Sequence, residues 1–158
     1  MAIAIFSGGF IVVLALSAYW DRSIRILHLF ESVPYLVAAV LCLSNRKSGY
    51  ALAFAAGAFW LWMAGILTTF VRNGFERLAM LVTTGHVDRP DILIAAPAAI
   101  TTAGLALFAL SGYLRLPDKK WRDLGLFASA LILVAGWFVG IFALFAPRYL
   151  GIFRCFLP

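Results

Sequence analysis

His28 and Glu31 lie three residues apart, and Tyr35, Ala38 and Cys42 follow at steps of four, three and four. That spacing puts all five on one face of a helix. Glu31 is the only carboxylate inside any long apolar run of the chain. An imidazole and a carboxylate one turn apart can relay a proton or hold a metal ion. Ionisable groups are costly in a membrane span, so one that persists there is a functional candidate by default. The commoner outcome is structural. Glu31 can pair with Arg22 or Arg25, or sit near the positive end of its own helix.

Metal chemistry would use His28 and Glu31 with His86 and Asp88, and Glu76 and Asp91 lie in the same long loop. Nitrogen and oxygen ligands of this kind suit zinc, iron, copper or manganese. No second His/Glu pair at helical spacing exists, so a di-iron bundle is unsupported. His28 and His86 are the only histidines. One bis-histidine haem would need His86 to reach in from a loop, and a pair of such haems is excluded. Trp60 and Trp62 lie mid-run, where an indole N–H needs a partner. Packing is their usual role, and lining a haem, quinone or pigment is the sharper one. Being two residues apart, they point about 200° away from each other.

The two cysteines, Cys42 and Cys155, fall at opposite ends of the bundle, about 30 Å apart, too far for a disulfide. No CxxC, phosphate-binding loop, nucleophile elbow or zinc-protease motif is present. The expected catalytic set is therefore limited to Glu31 and His28. The sequence requires no cofactor.

These residues must be positioned by helices in lipid. The chain has 158 residues, 64% hydrophobic and 13% charged, against about 25% charged in a soluble domain. Five runs approach the roughly 20 apolar residues that span a bilayer: Ala2–Trp20, Ile26–Ser44, Ala51–Val71, Ile92–Leu114 and Leu124–Ala146. They are continuous rather than alternating, which excludes a barrel. The expected fold is all-α, a single transmembrane domain of five helices over 1–158 with a tail at 147–158. No Lys or Arg precedes the first run, which reads as a retained span rather than a cleavable leader. The net charge of +6 is scattered through short loops, so lipid headgroups are the expected counter-charge and nucleic acid is not.

Five spans would put the termini on opposite sides. The amino-terminal side carries six basic residues and the other side seven, so charge assigns no orientation. On the second side, Phe75, Leu78, Ala79 and Val82 form an apolar stripe. It fits either a short interfacial helix or an extension of the third span, with Asn73-Gly74 as the breaker. Residues 85–91 read as a turn, with Asp91 as a cap for the fourth helix. Tyr149, Phe153 and Phe156, with Arg148 and Arg154, suit the headgroup level or a docking site for another subunit.

Small residues recur along three spans: Ala53, Gly57, Ala64 and Thr68; Ala96, Gly104 and Gly112; Ser129, Gly136, Gly140 and Ala143. Such seams let helices approach, and packing within one chain is their expected use. Pro34 frees the carbonyl of Phe30, one turn earlier, beside Glu31.

Intramembrane polar groups look too few for a full transport path, and no span carries a polar stripe long enough to line a channel. The leading expectation is a non-catalytic accessory or structural subunit of a larger inner-membrane complex, of electron-transfer or oxidase type. Its expected partners are lipids and other transmembrane subunits. The alternative is a small proton- or ion-coupled carrier, or a metal-binding membrane enzyme, using the His28/Glu31 face.

Overall fold

The computed structural model describes residues 1–148, 150 and 151. It is all-helical, with no strand among the described residues. Five stretches there are long and apolar enough to cross a membrane: Ala2–Trp20, Arg22–Leu43, Lys47–Leu67, Pro90–Leu114 and Asp123–Phe145. The helices are α1 (Ala2–Trp20), α2 (Arg25–Leu43), α3 (Lys47–Leu61), α4 (Phe70–Thr84), α5 (Pro90–Leu93), α6 (Ala95–Leu114) and α7 (Asp123–Phe145). A single 3-10 turn, Arg22–Ile24, leads into α2.

α3 is the hub and packs on α2, α6 and α7, while α1 packs on α2 and α6. Its composition explains this position. Ala51, Ala53, Ala55 and Ala56 are fully buried, and small side chains let neighbouring backbones come close. At Gly57 an added Cβ would stand 2.6 Å from the Thr102 carbonyl oxygen of α6. Gly104 and Gly112 of α6 likewise receive the rings of Phe6 and Tyr50.

Two of the three small-residue seams thus pack within the chain, and the third does not. A Cβ at Gly136 or Gly140 would meet nothing within 4 Å, and Ser129 and Ala143 are exposed. α7 meets the bundle through Ala130, Val134, Phe138 and Ile141, which occupy the opposite stripe. The seam on the fifth span therefore faces outward.

The third span ends earlier than its apolar run. After Leu61 the helix widens into a π-helical segment, Trp62–Leu67, and Thr68 is extended (φ −129°, ψ 166°). The Thr68 hydroxyl donates to the Ala64 carbonyl at 2.8 Å and accepts from the Phe70 N–H at 3.2 Å. A threonine hydroxyl that competes for backbone groups in this way favours a break over helix continuation. α4 is consequently a separate helix rather than an extension of the third span. Asn73-Gly74 lies inside it and breaks nothing. Gly74 instead lets α4 cross α6, where a Cβ would fall 2.7 Å from that of Ala95. The α4 stripe points away from the bundle, with Phe75 43% and Val82 78% exposed.

Gly85 closes α4 with φ +68°, a conformation that suits glycine. Asp91 sits in the first turn of α5 rather than at its cap, which is Arg89, and pairs with that arginine at 2.8 Å. Of the tail, Tyr149, Phe153, Arg154, Cys155 and Phe156 lie outside the described residues. Arg148 reaches the Ser23 hydroxyl at 3.0 Å and Asp21 at 4.0 Å.

Candidate functional site

α2 turns its small polar face inward. Glu31, Tyr35 and Ala38 are buried, and Glu31 is only 4% exposed. The Nδ1 of His28 is hydrogen-bonded to Oε2 of Glu31. The other ring nitrogen, Nε2, is 2.9 Å from the hydroxyl of Ser17 on α1. Both imidazole nitrogens are thus engaged. The expected pairing of Glu31 with Arg22 or Arg25 is not made, and Arg25 donates to the Ala18 carbonyl instead at 2.8 Å. Tyr35 donates its hydroxyl to the Ala56 carbonyl of α3 at 3.2 Å.

The His28–Glu31 pair forms part of the wall of a cavity of about 440 Å³. Phe10, Trp60 and Ala98 line its inner part. Asp21 lines it where α1 joins α2, Thr69 and Asn73 at the start of α4, and Asp91 in the first turn of α5. The π-helical segment contributes Met63 and Ala64. Such segments recur at functional sites because the extra residue in the turn re-aims side chains. Here Trp60 lines the cavity and packs edge-on to Phe10 at 5.3 Å, whereas Trp62 does not line it and lies against Phe59 at 5.5 Å.

The pair can hold its proton in two arrangements. With Glu31 ionised, a neutral imidazole donates from Nδ1 and accepts from Ser17 at Nε2. A protonated imidazole donates from both nitrogens. A serine hydroxyl serves either state because it can donate and accept. At the cavity rim, hydrogen bonds from the Ser23 hydroxyl and N–H hold the Asp21 carboxyl below the usual carboxylate range.

The other expected ligands do not gather here. His86 is exposed in the turn after α4 and does not line the cavity. Asp88 lies 3.7 Å from Arg77, and Glu76 lies 3.0 Å from Arg72. Among the described residues, no three His, Cys, Asp or Glu side chains come together as a metal site. Cys42 is half-buried and unbridged.

The carbonyl freed by Pro34 is not a spare acceptor for the pocket. The indole Nε1 of Trp137 on α7 donates to the Phe30 carbonyl at 3.0 Å. The sequence reading missed this donor, and an unsatisfied carbonyl one turn before an intrahelical proline is the signal that calls for one. It also missed Ser17, Thr69 and Asn73. Ser17 carries a weak signal, being one turn before the end of the first span, on the side where His28 begins the second. Compared with known protein families, with curated proteins and with solved structures, the chain matches none.

Proposed function

We propose that the chain is an integral protein of a bacterial cytoplasmic (inner) membrane. It takes a small molecule into the cavity between α1, α2, α3 and α4 and couples it to a proton handled by His28 and Glu31. One observation carries this reading: a titratable pair, engaged at both imidazole nitrogens, faces a cavity of about 440 Å³. That volume lies within the usual range for ligand pockets, about 300–1,000 Å³. The carrier is preferred to a metal enzyme because, among the described residues, only His28 and Glu31 of the expected ligands meet. α4 then lies along the membrane surface, with Phe75 and Val82 among lipids.

Proton movement read with a pH-sensitive dye tests the proposal. With the full chain in lipid vesicles, a small-molecule gradient is expected to drive proton movement that Glu31→Gln abolishes while leaving abundance and insertion intact. Proton movement unchanged by that substitution makes the pair structural and ends the proposal.

A second reading, an accessory subunit of a larger membrane complex of electron-transfer or oxidase type, is favoured by the outward seam of Gly136 and Gly140. It predicts co-purifying transmembrane subunits after gentle extraction. A monodisperse particle near 17.3 kDa plus detergent counts against it.

A further inference from the structure

The charge of the cavity is opposite to that of the chain. Lys and Arg number 13 against 7 Asp and Glu. Yet Asp21, Glu31 and Asp91 line the cavity, and among the described residues no Lys or Arg does. The two rim acids are already answered, Asp91 by Arg89 at 2.8 Å and Asp21 by Ser23 and, at 4.0 Å, Arg148. Glu31 differs, since its charged partner is a histidine, which can lose its charge.

The remaining groups facing the pair do not supply a fixed positive charge. Ser17 of α1 bonds His28, the Tyr35 hydroxyl is committed to Ala56, α3 and α4 present Trp60 and Asn73, and the break between them presents Thr68. α7 presents the ring of Phe142. The aromatic residues Phe10, Trp60 and Phe70 also line the walls. Aromatic faces attract cations, most strongly where water is excluded.

On the reading above that the cavity takes a small molecule, we infer that its ligand is a lipophilic organic cation, an ammonium group on an apolar or aromatic body, bound in exchange for one proton. Without the ligand, protonated His28 neutralises Glu31. When the cation enters, His28 gives up the proton at Nε2 to water by way of the Ser17 side and keeps the one at Nδ1 against Glu31. The pair then carries one net negative charge, and the cation replaces the proton that left. The balance is one proton out for one cation in. An anion would meet Glu31 with no Lys or Arg among the described lining residues to receive it, and the loss of the His28 proton would leave the site negative.

Benzyltrimethylammonium tests the inference against two partners of matched shape, the neutral neopentylbenzene and the anionic benzylsulfonate. Calorimetry on the full chain in lipid discs, in two buffers of different ionisation enthalpy, reads both affinity and protons released. The cation is expected to bind at least about tenfold more tightly than either analogue, releasing close to one proton. Its affinity should rise about tenfold per pH unit while the pair remains protonated. Glu31→Gln should erase the preference and the proton release. The wild-type comparison alone decides the matter if that variant is unstable. Binding of neopentylbenzene or benzylsulfonate as tight as that of the cation overturns the ligand class and leaves the cavity reading standing, whereas cation binding without proton release overturns the exchange together with the proton coupling it rests on. If none of the three binds, both readings fall.

Discussion

At the residue scale, the weight falls on who answers whom around His28. Glu31 is buried and bonds Nδ1 with a carboxylate, whereas Ser17 is only partly buried and bonds Nε2 with a hydroxyl. Glu31→Ala is therefore expected to cost about 2 kcal/mol and Ser17→Ala about 1 kcal/mol, since an orphaned polar group in the interior carries its full desolvation cost. Reversible thermal unfolding in detergent gives both numbers, and equal effects would contradict the asymmetry. The pair itself was legible in the sequence, because three-residue spacing on a helix is a local property. Ser17, Thr69 and Asn73 were not, because their place depends on how α1 and α4 are set against α2. The four residues of the expected metal set do not come together among the described residues for the same reason. Asp88 sits on a turn whose direction is set by where α4 begins, and Arg77 takes it up.

At the element scale, Pro34 and Trp137 form one device split between two helices. Without a backbone N–H at position 34, α2 leaves the Phe30 carbonyl open, and α7 fills it with an indole N–H. Trp137→Phe is expected to cost about 1 kcal/mol, the usual net worth of such a bond. In the background of Pro34→Ala the residue-34 amide can bond Phe30 itself, so the same change should cost markedly less. A double-mutant cycle measures the difference, and additive effects would separate the two residues. Thr68 is a second device of this kind. Thr68→Val keeps the shape, removes both hydroxyl bonds and should lower stability by about 1 kcal/mol, with the loss read in exchange protection at Phe70. Apolar run lengths announced the five spans, but the end of α3 was hidden. Thr68 and Thr69 are uncharged, so a window tuned to hydrophobicity passes straight over the break.

At the scale of the whole molecule, the bundle is tied at the end away from the cavity. Asp123 at the start of α7 accepts from Lys47 of α3 at 2.8 Å, from Tyr113 of α6 at 2.9 Å and from the Lys120 N–H at 3.0 Å. Lys47 also donates to the Asp118 carbonyl. Asp123→Asn is expected to lower the melting temperature of the purified protein and loosen that end, while leaving cation affinity at the far end unchanged. A loss of affinity equal to that of Glu31→Gln would show that the two ends are coupled. The hub position of α3 has a consequence of another sort. Its alanines and Gly57 meet neighbours on several sides, so a larger side chain there must displace backbone. Ile132, Leu133 and Leu144 on α7 face outward and answer only to a demand for apolarity. Over time the two helices should diverge at different rates. In a saturation scan the buried alanines and Gly57 of α3 would accept little beyond alanine, glycine and serine, while the outer stripe of α7 would drift among any apolar residues. Among distant kin, the small residues at Ala51, Ala53 and Ala55–Gly57 would be the part still readable.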